Sequence, residues 1–251
     1  MSKLYFFRHA QASFMSDNYD KLSGHGEKQS EELGKYLVKK GFHFDKIYVG
    51  PLERQKKTFE IVAGVFSKNK MMVPEPVIIE ELREHSGPRA MRYVFPKLRE
   101  NNSEVEKLLQ IAEKDPRLKK RNHLLVFQHF MDEWAEGKIE VPEVDSWATF
   151  RNKVKIGLNK ILENTEKGET IGAFTSGGTI SAITAEAIAI KEERIVATMN
   201  FSVRNTSFTS FLFSQNKFNL LSFNELPHLE KEMNFSWNGP IIPHENQSRK
   251  I

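Results

Sequence analysis

The hydrophobic pattern begins with Leu4-Tyr5-Phe6-Phe7, a run that reads as a buried strand and passes directly into Arg8-His9. Leu33, Tyr36 and Leu37 then recur at the i, i+3, i+4 spacing of a helix, with Ser23 placed as its N-cap and Gly41 as its stop. Asp45 to Val49 forms a second, short strand. Gly50-Pro51 turns the chain into a helix whose apolar face is Phe59, Val62, Ala63 and Phe66. Val77 to Ile79 makes a third strand. From about 88 to 146 the strand rhythm disappears, and Leu124, Phe127, Met131 and Trp134, followed by Gly137, predict an inserted helical region. Trp147, Phe150, Val154, Leu158, Ile161 and Leu162 mark another amphipathic helix that ends near Lys167-Gly168. A fourth strand over 170–174 enters an apolar helix over 181–190 through Thr175-Ser176-Gly177-Gly178. Asn205 to Phe213 and Phe218 to Phe223 pair as a hairpin around Gln215-Asn216, and residues 231–251 read as a polar tail. Strands alternating with helices predict an α/β fold, a single domain over 1–230 with the insertion at about 88–146.

Composition narrows the setting. A hydrophobic fraction of 39% and a charged fraction of 28% are those of an ordinary soluble protein. No apolar run approaches the roughly 18 to 20 residues of a membrane span, and the N-terminus has no signal-peptide core, so a cytoplasmic location is expected. The chain has no cysteine, which excludes disulfides, thiolate metal sites and a cysteine nucleophile. A net charge of +4 suits anionic substrates but is too small and too scattered to argue for nucleic acid. The oligomeric state is open, a homodimer being compatible with the sequence.

The candidate chemistry lies at strand ends. Arg8-His9 sits where open α/β sheets bind ligands, although a surface Arg-His pair is the commoner case for so short a pattern. Arg54 repeats the device after the second strand, and would converge with Arg8 if the two strands are neighbours; beside Glu53, Lys56 and Lys57 it also fits a solvated helix residue. After the third strand Glu80, Glu81, Glu84 and His85 compete, and pattern alone does not choose among them. The Thr175-Ser176-Gly177-Gly178 turn suits a phosphate at a helix N-terminus, and equally suits tight packing. Phe174 stands where a nucleophile elbow requires glycine. Walker A and dinucleotide-binding glycine patterns are absent, as is a clustered metal-ligand motif, so neither a cofactor nor a metal is expected; His129 has no partner at metal spacing.

Taken in order, Arg8-His9-Ala10-Gln11-Ala12-Ser13, Leu22-Ser23-x-x-Gly26-x-x-Gln29, Gly50-Pro51-Leu52-x-Arg54-x-x-x-Thr58, Leu82-x-Glu84 and the Thr-Ser-Gly-Gly turn resemble the histidine phosphatase superfamily, the phosphoglycerate mutase-like proteins. The resemblance runs from residue 3 to about 229. It implies a three-layer α/β/α sandwich with a mostly parallel central sheet and a helical insertion after the third strand. It further implies that His9 attacks phosphorus to give a phosphohistidine while Arg8 and Arg54 hold the phosphoryl oxygens. Glu84 matches the general acid, with Glu81 one turn away as the substitute. Ser13, Gly177 and Arg204 fall at substrate-binding positions of a small phosphorylated substrate. The departure is Ser176, where most of the superfamily has a second histidine: a hydroxyl donates a hydrogen bond but carries no charge. Arg204 or His85 is then the candidate for the missing charge. The implied function is a phosphohydrolase of small phosphomonoesters. A weakly active or non-catalytic phosphate binder is the alternative, and a phosphoglycerate mutase the third option.

Overall fold

The computed structural model describes residues 1–13, 20–214 and 217–232. Its central sheet is built from β1 (Ser2–Arg8), β2 (Lys46–Val49), β3 (Pro76–Ile78), β4 (Thr170–Thr175), β5 (Phe208–Ser214) and β6 (Lys217–Glu225), in the order β3-β2-β4-β1-β5-β6. β3, β2, β4 and β1 run parallel, while β5 and β6 add an antiparallel edge. The expected α/β fold with a mostly parallel sheet is therefore present. β1 and β2 are not neighbours, contrary to the simplest way of bringing Arg8 and Arg54 together. β4 lies between them, so the Ser176 turn enters between the two basic loops.

The inner strands β1, β2, β4 and β5 are buried on both faces, as their near-continuous apolar sequences require, whereas the edge strands β3 and β6 are more exposed. Phe6 and Phe7 are adjacent and so point to opposite sides. Phe7 packs with Phe44, Phe174 and Phe208 against α1 (Gly24–Lys39) and α2 (Glu53–Lys68), through Leu33, Leu37, Phe59, Val62 and Phe66. Phe6 joins Leu4, Ile171 and Ala173 in a larger core completed by α6 (Trp147–Glu163), α7 (Gly177–Ile188) and α8 (Glu193–Ser202). Between β3 and α6 the insertion forms α3 (Gly87–Asn101), α4 (Ser103–Lys114) and α5 (Lys119–Ala135), whose Val126, Phe130, Met131 and Trp134 extend that core.

Ser23 caps α1 as expected, accepting from Gly26 N at 3.0 Å. The structure departs from the sequence pattern in several places, among them the first hairpin strand, which starts at Phe208 rather than Asn205. The apolar helix starts at Gly177 rather than Ser181, directly on the strand end, and α8 fills a stretch that carries no helical stripe. The turn at Gln215-Asn216 and all but the first two residues of the expected 231–251 tail lie outside the described residues. Among the described residues no helix is long and apolar enough to cross a membrane, and no group of three or more His, Asp or Glu side chains could hold a metal ion.

Candidate active site

All four parallel strands deliver a predicted residue at their carboxyl ends: Arg8 and His9 after β1, Arg54 after β2, Glu84 after β3 and Ser176 after β4. The loop carrying His9 is fastened from several sides. His9 N donates to Thr175 O at 2.8 Å, Asn205 Nδ2 to His9 O at 3.0 Å, and Ala10 N to Thr58 Oγ1 at 3.0 Å. Gln11 N donates to Gln29 Oε1 at 3.0 Å. Thr58 and Gln29, two polar members of the motif series, thus hold the loop's backbone. Thr206, whose N donates to Arg8 O at 3.1 Å, is a β-branched residue at φ 57°, a left-handed conformation that marks local strain beside the site.

The His9 ring has a defined orientation and tautomer. Nδ1 lies 2.7 Å from Ala10 O, a group that only accepts, so Nδ1 carries the proton. Nε2 is then the lone-pair nitrogen, and it accepts from Arg54 Nε at 3.1 Å. Burial holds the imidazole pKa well below its ordinary value, and Arg54 and Arg8 push it the same way; the Ala10 carbonyl opposes them weakly. His9 is therefore neutral, with an unprotonated nitrogen aimed beside a guanidinium.

Arg54 is buried at 8% exposure, so the solvated alternative does not hold. Its Nη1 pairs with Asp20 at 2.7 Å, and the other Asp20 oxygen accepts from Glu53 N at 2.8 Å. That carboxylate, missed in the sequence, occupies the guanidinium and the first turn of α2 together. Arg8 donates through Nη1 to Val203 O. A Cβ on Gly177 would stand 2.7 Å from Asn200 Oδ1 and 3.5 Å from Arg8 Nε, so this predicted binding position is crowded by Asn200 and lies close to the arginine.

The geometry separates the competing acids. Glu84 Oε2 accepts from Gly178 N at 3.1 Å, at the α7 N-terminus, and Oε1 accepts from His85 N at 3.0 Å. Glu81 turns away to Lys160 at 2.6 Å, which draws its pKa down. Gly178 allows the approach: a Cβ there would run into Glu84 Oε1 and stand 2.6 Å from His85 Cδ2.

His85 is not a source of the missing charge. Trp134, Trp147 and Phe150 enclose it with ring centroids 5.6–5.9 Å away, Gly87 N donates to its Nδ1 at 3.1 Å, and burial lowers its pKa. Arg204 is bound to Asn224, through Nη2 to the carbonyl at 2.9 Å and through its backbone N to the side chain at 2.8 Å. Ser13 Oγ donates to Leu22 O at 3.1 Å. Neither has a described contact with His9. Ser176 is fully buried, and Gln55 Nε2 donates to its Oγ at 2.8 Å.

The sequence profile of the histidine phosphatase superfamily (branch 1) matches residues 4–117 and 118–226. The chain belongs to this superfamily. Several solved structures share its fold. A mutant phosphoserine phosphatase from Entamoeba histolytica, in complex with phosphoserine, is 21% identical at a TM-score of 0.59, with 91% of this chain and 100% of that chain covered. YhfR of Bacillus stearothermophilus is 19% identical at a TM-score of 0.63, with 92% and 100% covered. A phosphoglycerate mutase from Bacillus anthracis str. Sterne is 16% identical at a TM-score of 0.60, with 92% and 96% covered. No curated protein matched the chain.

Proposed function

We propose that this histidine phosphatase superfamily member is a phosphohydrolase of small phosphomonoesters that works through a phosphohistidine on His9. The observation that carries the reading is the neutral His9 ring, with Nε2 unprotonated and 3.1 Å from Arg54 Nε. A nucleophile needs that lone pair, and the charge that develops on the transferring phosphoryl group needs cationic donors already in place.

His9 Nε2 forms a bond to phosphorus as the ester P–O bond breaks, Arg8 and Arg54 bind the equatorial oxygens, and protonated Glu84 gives its proton to the leaving alkoxide. Glu84, now a carboxylate, takes a proton from water that attacks the phosphohistidine, releasing inorganic phosphate and restoring neutral His9. Ser176 supports a second reading, a phosphate-binding member with little turnover, because its hydroxyl cannot supply an imidazolium charge.

Brief exposure to a radiolabelled phosphomonoester, followed by mapping of an acid-labile phosphoryl group with His9→Ala as control, tests the assignment. Label on His9 that chases into inorganic phosphate is expected. Absence of label with retained phosphate binding favours the second reading.

A further inference from the structure

Gln55 is a fully buried amide in the first turn of α2, and every polar atom of its side chain is engaged. Leu52 N donates to Oε1 at 3.0 Å. Nε2 donates to Leu82 O at 3.2 Å and to Ser176 Oγ at 2.8 Å. The fold makes room for the amide, since a Cβ on Gly50 would run into Oε1.

Two backbone groups fix which way the amide faces. Turned over, it would set Oε1 against the Leu82 carbonyl and Nε2 against the Leu52 N–H, pairing acceptor with acceptor and donor with donor. Nε2 therefore faces Ser176, and the serine oxygen accepts. Ser176 then keeps one hydrogen to give, and among the described residues its Oγ makes no second hydrogen bond. β1 and β4 pair in the register Arg8↔Thr175, so His9 and Ser176 leave the sheet side by side.

We propose that Gln55 is a positioning residue that fixes the Ser176 hydroxyl as a hydrogen-bond donor to the phosphoryl oxygens held beside His9, an inference that rests on the phosphate-site reading above. The pair supplies an oriented, uncharged donor at the strand end. Without the amide, the hydroxyl is free to turn toward the backbone and spend its proton there.

A double-mutant cycle on the full chain tests this with Gln55→Met, Ser176→Ala and the combination, using para-nitrophenyl phosphate and checking each fold by thermal melting. Gln55→Met should lower kcat about 10-fold, the worth of one oriented hydrogen bond, with KM changed less than about 2-fold. Ser176→Ala should lower kcat about 10²-fold. In the Ser176→Ala background, Gln55→Met should have almost no further effect. An equal loss in both backgrounds, or no loss in either, overturns the inference. If wild-type protein neither labels on His9 nor releases phosphate, the phosphohydrolase reading fails instead. The cycle is then read on the affinity for orthovanadate, where additive losses overturn the role of Gln55 and coupled losses support it.

Discussion

Arg54 Nε lies 3.1 Å from His9 Nε2, and the same guanidinium reaches Asp20 through Nη1 at 2.7 Å. One side chain thereby aims the lone pair of the proposed nucleophile and marks where an anion belongs. Lysine has no fork with which to do both. Arg54→Lys should lower kcat about 10²- to 10³-fold and raise KM for para-nitrophenyl phosphate, while the melting temperature changes little. Steady-state kinetics check this, and near-normal turnover would remove Arg54 from the proposed mechanism.

Glu84 and Glu81 give the second contrast. Glu84 meets the α7 N-terminus beside the site, whereas Glu81 is spent on Lys160. Glu84→Gln should slow release of a poor, alkyl leaving group far more than that of para-nitrophenolate, which departs with little help from an acid. Glu81→Gln should leave both rates within about 2-fold. The reverse ranking would mean that Glu81 is the acid.

The proposed catalytic residues were legible because four strands end in chemistry-bearing residues whose order is itself a pattern. The parts that were not legible depend on sheet order or on weak local signals. Gln55 sits in a polar stretch of α2, and only the insertion of β4 between β1 and β2 brings Ser176 against it. Asp20 follows a polar run, with nothing in its spacing to single it out. α8 buries Val196 and Ala197, which are adjacent, so no i, i+3, i+4 stripe announces it. The early start of α7 runs against the low helix propensity of Gly177-Gly178, and reflects the pairing of Gly178 N with Glu84.

The glycines offer a paired test. Gly178→Ala forces Glu84 and His85 to move and should cost about 10²-fold in kcat. Gly64, inside α2, has open space where a Cβ would go. Gly64→Ala should leave kinetics unchanged and raise stability by about 0.5–1 kcal/mol, read by urea unfolding.

Two buried histidines, His9 and His85, and the half-buried His228 should make the fold less stable in acid. The pKa of His228 is drawn down to about 4 by burial, and those of His9 and His85 also fall below the ordinary 6.5. In each case the unfolded chain binds a proton that the folded chain refuses, so the stabilisation is complete above about pH 6.5 and is lost as pH falls below it. For His228 the loss between pH 7 and pH 4.5 is roughly 2–3 kcal/mol. Urea unfolding of His228→Leu should show a correspondingly smaller drop over that interval. An unchanged drop would place the acid sensitivity elsewhere. For the same reason, protonation of the His9 nucleophile should limit kcat/KM only at pH values below about 6.5.

Restoring a histidine at position 176 is the obvious way to seek faster turnover, and the structure argues that the single change will not achieve it. Ser176 is fully buried with Gln55 Nε2 at 2.8 Å from its oxygen, so an imidazole must enter space the amide already fills. Overpacking of this kind costs about 1–3 kcal/mol. Ser176→His alone should therefore lower the melting temperature without raising kcat. Combined with Gln55→Ala, which vacates the amide's volume beside the strand end, the ring gains room and the melting temperature should recover. The imidazole can then supply the charge that the hydroxyl lacks, and kcat should rise above that of the wild type. A single Ser176→His variant as stable as the wild type and faster would show that Gln55 leaves more room than its contacts indicate.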